Sequence, residues 1–458
     1  MVAEALLMVL LAAAQAAATP SRETDPAKLF AYDASAELSP RFEVVERREG
    51  AVILEGSYAS PGGDRVTAYL VTPEHEEKSP AVLFGHWGGG NRTEFLPEAI
   101  QYARAGAVSL LPDYPWARPA PWRRNLRHTD DPEHDFPIYV QAVVDLRRGL
   151  DYLSSRPGVD ASRLAYVGHS WGAQWGAILA GVDRRPRTVI LMAGVPDSAA
   201  LYMESDDPDF AELRAKNPAS VNRLLEVMKP LSAGRYVGQA SPTPLYFQFA
   251  RYEQLFGRPS MERYYAAARE PRSISWYPTG HDLNDPQALL DRAAWLQKHI
   301  GLGSLTTAGA APATADAVEA VREELKARYA ENEAGFFARD PDRVMRLRHP
   351  DFHTITPDGK VSNREQMYQR TRDFIGRIER FDTLSETIMG LTLEGDTAHA
   401  VVSQRTVRQQ RLADGTLHEV RTAVVQRESW KKTSEGWMMW QVDEIQPGMT
   451  LVDGQLLP

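Results

Sequence analysis

Between residues 28 and 300, short apolar runs alternate with amphipathic stretches of helical spacing, the pattern of a mostly parallel sheet with crossover helices. Phe42–Val45 and Val52–Leu54 read as opening antiparallel strands. Val66–Thr72 alternates as another, reached through the turn Ser60-Pro61-Gly62-Gly63-Asp64. Ala81–Phe84 is a continuous apolar run of the buried parallel type, and Ala107–Leu111 follows it. Leu164–Val167, Thr188–Met192, Pro244–Phe249 and Ser273–Tyr277 close the series. The expected fold is α/β, with a mostly parallel sheet of about eight strands and crossover helices. Ser198–Gly238 exceeds a simple crossover and predicts a helical flap.

Gly301–Thr314 is uncharged and rich in small residues, as a linker is. Beyond it the period changes. Val318, Val321, Leu325 and Tyr329 recur at helical spacing in a long helix that Arg339-Asp340-Pro341 ends. Pro357-Asp358-Gly359-Lys360 signals a hairpin, and a second helix is expected around Arg364–Ile375. Three alternating strands follow, near residues 398–408, 420–430 and 437–442, joined at Asp414-Gly415 and Glu435-Gly436. The chain therefore divides into a first domain over 28–300, a linker over 301–314 and a smaller α+β domain over 315–458.

Composition narrows the chemistry. A length of 458 residues with 43% apolar content supports two or three domains with real cores. The net charge of −9 argues against nucleic acid or an anionic membrane as partner. Absence of cysteine excludes thiolate catalysis, cysteine-ligated metal and disulfides. No cofactor is called for. The acidic and histidine-rich stretch His128–Asp135 lacks regular ligand spacing, so no metal site is expected either. Residues 1–20 carry the apolar run Leu6–Leu11 and an alanine-rich stretch to Ala18, the layout of a signal peptide, although Glu4 stands where a basic residue is usual. Export to a periplasm or to the medium is expected, without stable membrane insertion.

The candidate chemistry centres on Gly168-His169-Ser170-Trp171-Gly172, which lies between an apolar run and a small-residue helical stretch. Strand, G-x-S-x-G and helix together define a nucleophile elbow, with Ser170 as nucleophile. A serine hydroxyl needs a base to take its proton and a third group to orient that base. His281 follows the last strand in Tyr277-Pro278-Thr279-Gly280-His281 and is the expected base. The acid is Glu253, just past the preceding strand in Phe249-Ala250-Arg251-Tyr252-Glu253, with Asp197 as the rival. His86-Trp87-Gly88-Gly89-Gly90 reads as an oxyanion loop, so the N–H groups of Trp87 and Trp171 are the expected oxyanion donors. Trp116, Trp122 and Trp175 crowd loops near this site and would favour an apolar or aromatic acyl group. Arg123, with Arg118, Arg124 and Arg127, could hold a carboxylate.

On FGHWGGG, GVDASRLAYVGHSWGA, FQFARYE and YPTGHDL, residues 28–300 resemble the dienelactone-hydrolase-like and acetyl-xylan-esterase-like branch of the α/β-hydrolase superfamily. Dienelactone hydrolases use cysteine, so Ser170 points instead to ester hydrolysis. On the long first helix, Pro357–Lys360 with Asn363-Arg364-Glu365, and Glu428-Ser429-Trp430 with Gly436-Trp437, the C-terminal region resembles the SnoaL-like/NTF2-like family. That likeness implies a cone-shaped domain with a ligand pocket or a homodimer contact, into which His353, Tyr368, Arg405 and Arg427 could project. Together these imply a serine hydrolase of small-molecule carboxylic esters acting through an acyl-enzyme. A peptidase or acyltransferase with the same triad is the first alternative. An inactive binding protein using the C-terminal pocket is the second.

Overall fold

In a computed structural model of the chain, the described residues are 26–48, 50–75, 77–205, 207–277, 279–305, 315–356, 360–412 and 415–456. The N-terminal apolar segment, most of the small-residue linker, Pro357-Asp358-Gly359 and Asp414 lie outside them. The first unit is built on β1 (Arg41–Arg48), β2 (Ala51–Ala59), β3 (Arg65–Pro73), β4 (Ser79–Gly85), β5 (Val108–Pro112), β6 (Val159–His169), β7 (Pro186–Met192), β8 (Leu245–Ala250) and β9 (Arg272–Tyr277). They form a nine-stranded sheet in the order β1-β2-β3-β5-β4-β6-β7-β8-β9, one strand more than expected. Each of the nine matches an apolar run read from the sequence, including the edge strand β1, whose Val44 and Val45 are exposed. β1, β2, β3 and β5 pair antiparallel, and every pairing from β5 through β4 to β9 is parallel.

Burial explains why these strands read as unbroken apolar runs. β4, β5 and β8 are buried at every position because helices cover both faces. The connecting helices are α1 (Leu96–Arg104), α2 (Pro132–Ser155), α3 (Trp171–Val182), α4 (Pro208–Lys216), α5 (Pro218–Met228), α6 (Arg258–Ala267) and α7 (Pro286–Ile300). α2, α3 and α6 pack on one side of the sheet in a core with Leu83, Tyr166 and Phe247. α1 and α7 pack on the other with Phe84, Val167 and Tyr246. α4 and α5 make the expected flap between β7 and β8. The start of the linker is not loose: Leu302 is buried, and Gly303 N–H donates to Ala105 O at 2.8 Å.

The second unit comprises α8 (Ala315–Phe337), α9 (Pro341–Arg346), β10 (Arg348–Ile355), β11 (Val361–Asn363), α10 (Arg364–Gly376), β12 (Ile378–Glu394), β13 (Thr397–Arg411), β14 (Leu417–Thr433), β15 (Gly436–Val452) and β16 (Gln455–Leu456). Its seven-stranded sheet runs β11-β10-β15-β14-β13-β12, with β16 on β15. α8 lays Leu325 and Tyr329 against Trp430, Trp437 and Met439. The long strand β12 escaped the sequence reading. Irregularities after Ile378, Phe381 and Ile388 reset its in–out phase, so no clean alternation is written in it. The two units meet where Leu289 and Leu290 of α7 pack on Met389, Val401 and Val425.

Candidate active site

Ser170 sits between β6 and α3 with φ 56° and ψ −113°, a conformation that costs a non-glycine residue about 1–3 kcal/mol. The surroundings hold it there: Ser170 N–H donates to Met192 O at 2.8 Å, and Ser170 O accepts Ala173 N–H at 3.0 Å. The flanking glycines are needed for close approach. A Cβ on Gly168 would run into the Gly172 carbonyl, and one on Gly172 into that of Gly85. Tyr166 Oη–H donates to Gly172 O at 2.8 Å, which pins the turn from below.

The loop after β9 brings His281 Nε2 to 2.9 Å from Ser170 Oγ. His281 Nδ1 lies 3.0 and 2.9 Å from the two carboxylate oxygens of Glu253. A carboxylate only accepts, so Nδ1 carries the hydrogen and Nε2 presents its lone pair to the serine hydroxyl. Glu253 is itself fixed: its side chain is 2% exposed, and Oε1 accepts the N–H groups of Gln254 and Leu255 at 3.1 and 3.0 Å. Asp197 is not part of this line. Its carboxylate accepts Ala200 N–H at 3.2 Å and lines a separate cleft with Lys229.

The expected oxyanion donors fare differently. Trp171 N–H is the first of α3, directly after Ser170, where no intrahelical acceptor is available and the helix N-terminus favours negative charge. Trp87 N–H is taken: it donates to Glu94 Oε2 at 2.7 Å. The pairing of Trp87 with Trp171 as two open donors is thus corrected, because a side chain seven positions downstream folds back onto the glycine-rich loop. His86 is structural in the same loop. Tyr114 N–H donates to its Nε2 at 3.1 Å, and Nδ1–H faces Trp87 O at 2.6 Å. Burial lowers its pKa, so the ring is held neutral.

The sequence reading also missed a second histidine–carboxylate pair. His169 places Nδ1 2.6 Å from Glu94 Oε1 and Nε2 2.8 Å from His281 O. Burial pushes the His169 pKa down, but the Glu94 carboxylate and the acceptors around it outweigh burial and the net shift is upward. In the sequence His169 is merely the variable position of the elbow motif, and nothing local marks Glu94.

Of the expected substrate residues, Trp116 and Trp175 join Trp171 and Tyr139 in an aromatic wall beside Ser170. Trp171 meets Trp116 and Tyr139 edge-on at 5.3 and 5.5 Å, and Trp175 stacks on Tyr139 at 5.4 Å. Trp116 Nε1–H donates to Gly88 O at 2.8 Å, joining this wall to the glycine-rich loop. Trp122 is half-buried outside this wall, and Arg123 is exposed with Nε–H on Trp116 O at 3.0 Å. The other arginines of that loop already have carboxylates. Arg118 is buried on Asp145, Arg124 pairs with Asp64 at 2.6 Å, and Arg127 with Asp131 at 2.7 Å.

The four C-terminal candidates do not converge. His353 meets Trp440 edge-on, Tyr368 Oη–H donates to Asp342 at 2.9 Å, and Arg427 grips Asp443 through two bonds of 2.8 and 2.6 Å. Arg405 reaches the other unit and pairs with Asp285, the N-cap of α7, at 3.0 Å. A different buried polar cluster occupies the sheet face beneath α8. Glu428 accepts from Tyr329 at 2.6 Å and Gln426 at 2.7 Å, and Glu386 from Gln404 at 2.9 Å.

The nine-stranded unit has the α/β-hydrolase fold. No family model matches the chain, and no curated protein matches it. Among solved structures, it is similar to acetyl xylan esterase 1 from Thermoanaerobacterium sp. JW/SL YS485, with a TM-score of 0.51 and 15% identity over 59% of this chain and 92% of that one. It is also similar to an acetyl xylan esterase from Paenibacillus sp. R4, at 0.49 and 19% over 60% and 92%. An esterase domain from a Rhodothermus marinus protein gives 0.40 and 18% over 54% and 99%. At such identities the likeness is one of fold.

Proposed function

We propose that this chain is a serine hydrolase that cleaves carboxylic esters through an acyl-enzyme. The reading is carried by one observation: the His281 ring stands between Ser170 Oγ and the Glu253 carboxylate at hydrogen-bond distance on both sides. In the first half-reaction Ser170 Oγ attacks the ester carbonyl while His281 Nε2 takes its proton. Glu253 stabilises the imidazolium so formed, and Trp171 N–H faces the developing oxyanion from the start of α3. The imidazolium then protonates the departing alcohol. In the second half-reaction His281 takes a proton from water, which attacks the acyl carbonyl, and the imidazolium returns that proton to Ser170 Oγ as the acid leaves. The wall of Trp116, Trp171, Trp175 and Tyr139 suits an apolar or aromatic acyl group. Export through the N-terminal apolar segment is part of the same proposal, tested by N-terminal sequencing of protein recovered outside the cytoplasm.

A fluorophosphonate probe provides the test of the nucleophile. It should label the wild-type chain at Ser170 and leave Ser170→Ala unmodified, with turnover of p-nitrophenyl esters falling about 10³-fold or more. Wild-type turnover in Ser170→Ala would overturn the proposal.

A further inference from the structure

One pair, a buried histidine and a half-buried glutamate, ties together the two loops that flank Ser170. His169 is 4% exposed; its Nδ1 is bound to Glu94 Oε1 at 2.6 Å and its Nε2 to the His281 carbonyl at 2.8 Å. The second oxygen of Glu94 accepts Trp87 N–H at 2.7 Å. The acceptor and donor roles fix the protons. A carbonyl oxygen only accepts, so His169 Nε2 carries a hydrogen. A carboxylate also only accepts, so Nδ1 carries one too. The pair is an imidazolium facing a carboxylate, and a single titratable proton closes the chain from Trp87 through Glu94 and His169 to His281.

We propose that Glu94 and His169 are positioning residues that hold the His281 loop and the glycine-rich loop in register through this shared proton. The inference rests on Ser170 and His281 being the reacting pair. The groups facing it are His281 and Asp282 from the loop after β9, His86 from the loop after β4, Tyr114 from the loop after β5, and Tyr166 from β6. The Glu94 carboxylate and the His281 carbonyl raise the His169 pKa in place, so the proton is held to higher pH than on a free imidazole. Once it is lost, a ring lone pair faces either the Glu94 carboxylate or the His281 carbonyl. Either contact repels, and the His281 loop loosens.

Glutamine at position 94 separates the hydrogen bonds from the proton. Its carbonyl oxygen can accept Trp87 N–H while its amide donates to Nδ1 of a neutral His169, leaving Nε2–H on His281 O. The test is the pH profile of kcat and KM for a p-nitrophenyl ester in the wild type, Glu94→Gln and Glu94→Ala. The wild type should show an alkaline limb in kcat, falling tenfold per pH unit. Glu94→Ala should lose at least tenfold in kcat with little change in KM. Glu94→Gln should rescue most of that loss and lack the limb. A limb unchanged in Glu94→Gln, or wild-type or higher turnover in Glu94→Ala, overturns the proposal. Nitrogen-15 NMR of His169 reads the proton without any turnover: both ring nitrogens protonated at pH 7 in the wild type, only Nε2 in Glu94→Gln. A singly protonated wild-type ring also overturns it. Failure of the hydrolase reading shows separately, as a wild-type chain that the fluorophosphonate does not label, and the NMR result then still decides the pair.

Discussion

Replacing Glu253 by glutamine asks whether this carboxylate orients His281. Its Oε1 accepts two backbone N–H groups, from Gln254 and Leu255, so in Glu253→Gln the carbonyl oxygen must stay there. The amide nitrogen then takes the place of Oε2, which stands 2.9 Å from His281 Nδ1. Nδ1–H keeps the carbonyl oxygen at 3.0 Å as an acceptor, but it now meets an N–H donor where the second carboxylate oxygen stood, and the negative charge is gone. The imidazolium formed as the Ser170 proton is taken therefore loses its charged partner, and the ring is turned away by the donor–donor contact. Loss of the charge-assisted bond costs about 1.5–3 kcal/mol, and a buried unpaired donor about 1–3 kcal/mol more. The sum, about 2.5–6 kcal/mol, corresponds to roughly 10²–10⁴ in rate at about 1.36 kcal/mol per decade. The assay is kcat/KM on p-nitrophenyl butyrate, with circular dichroism to check the fold and Asp197→Asn as control. Asp197 contacts Ala200 N–H at 3.2 Å and nothing in the Ser170–His281 line, so the control should stay within about twofold of wild type. Glu253→Gln within threefold of wild type, or a larger loss in Asp197→Asn, would refute the reasoning.

The remaining predictions concern the elbow, the aromatic wall, the second sheet and the contact between units. Gly172→Ala should cut the rate of fluorophosphonate labelling at least tenfold, because its methyl group overlaps the Gly85 carbonyl and displaces the start of α3. Trp175→Phe removes a buried indole N–H that has no partner among the described residues and should unfold in urea within about 1 kcal/mol of wild type, whereas Trp175→Ala should lose about 3–5 kcal/mol. Glu386, pushed up to about 7 by burial and by the nearby Glu428, holds its proton more tightly folded than unfolded, where a glutamate titrates near about 4.3. Stability from this group is therefore full below about pH 4 and lost as pH rises toward 7, so the melting-temperature advantage of Glu386→Gln should grow between pH 5 and pH 8 in scanning calorimetry. Arg405→Ala should cost less than about 1 kcal/mol, since its side chain is 46% exposed, while Asp285→Ala should cost about 1–2 kcal/mol through the lost cap on α7.

What could be read from the sequence follows from how locally each feature is determined. The strands covered on both faces announce themselves, as Ala81–Phe84 does, because burial on two sides leaves no polar position to confuse the pattern. The elbow was legible because tight packing demands glycine at two fixed positions, and chain order then pointed to Glu253 and His281. β12 was not, since three irregularities break its period. Trp87 failed as an open donor for a different reason: whether a backbone N–H is free depends on which side chain folds over it, and the motif says nothing about Glu94. Arg118 failed in the same way, its guanidinium being matched to the buried Asp145 from a helix that the loop sequence cannot reveal.

The site contains the same pairing twice, and the difference between the two copies explains why only one histidine is suited to move a proton. Both His281 and His169 present Nδ1 to a glutamate. Beyond Nε2 their surroundings diverge. His281 faces a hydroxyl, which can surrender a proton to a lone pair and take it back. His169 faces a carbonyl oxygen, which can only accept, so its Nε2 must keep a hydrogen and the ring has no free lone pair to act as base. The glutamate that prepares His281 as a neutral base therefore has a counterpart that stabilises His169 as a cation. The ring next in sequence to Ser170 is thus kept from acting as a base by an acceptor on His281, the residue proposed to do so.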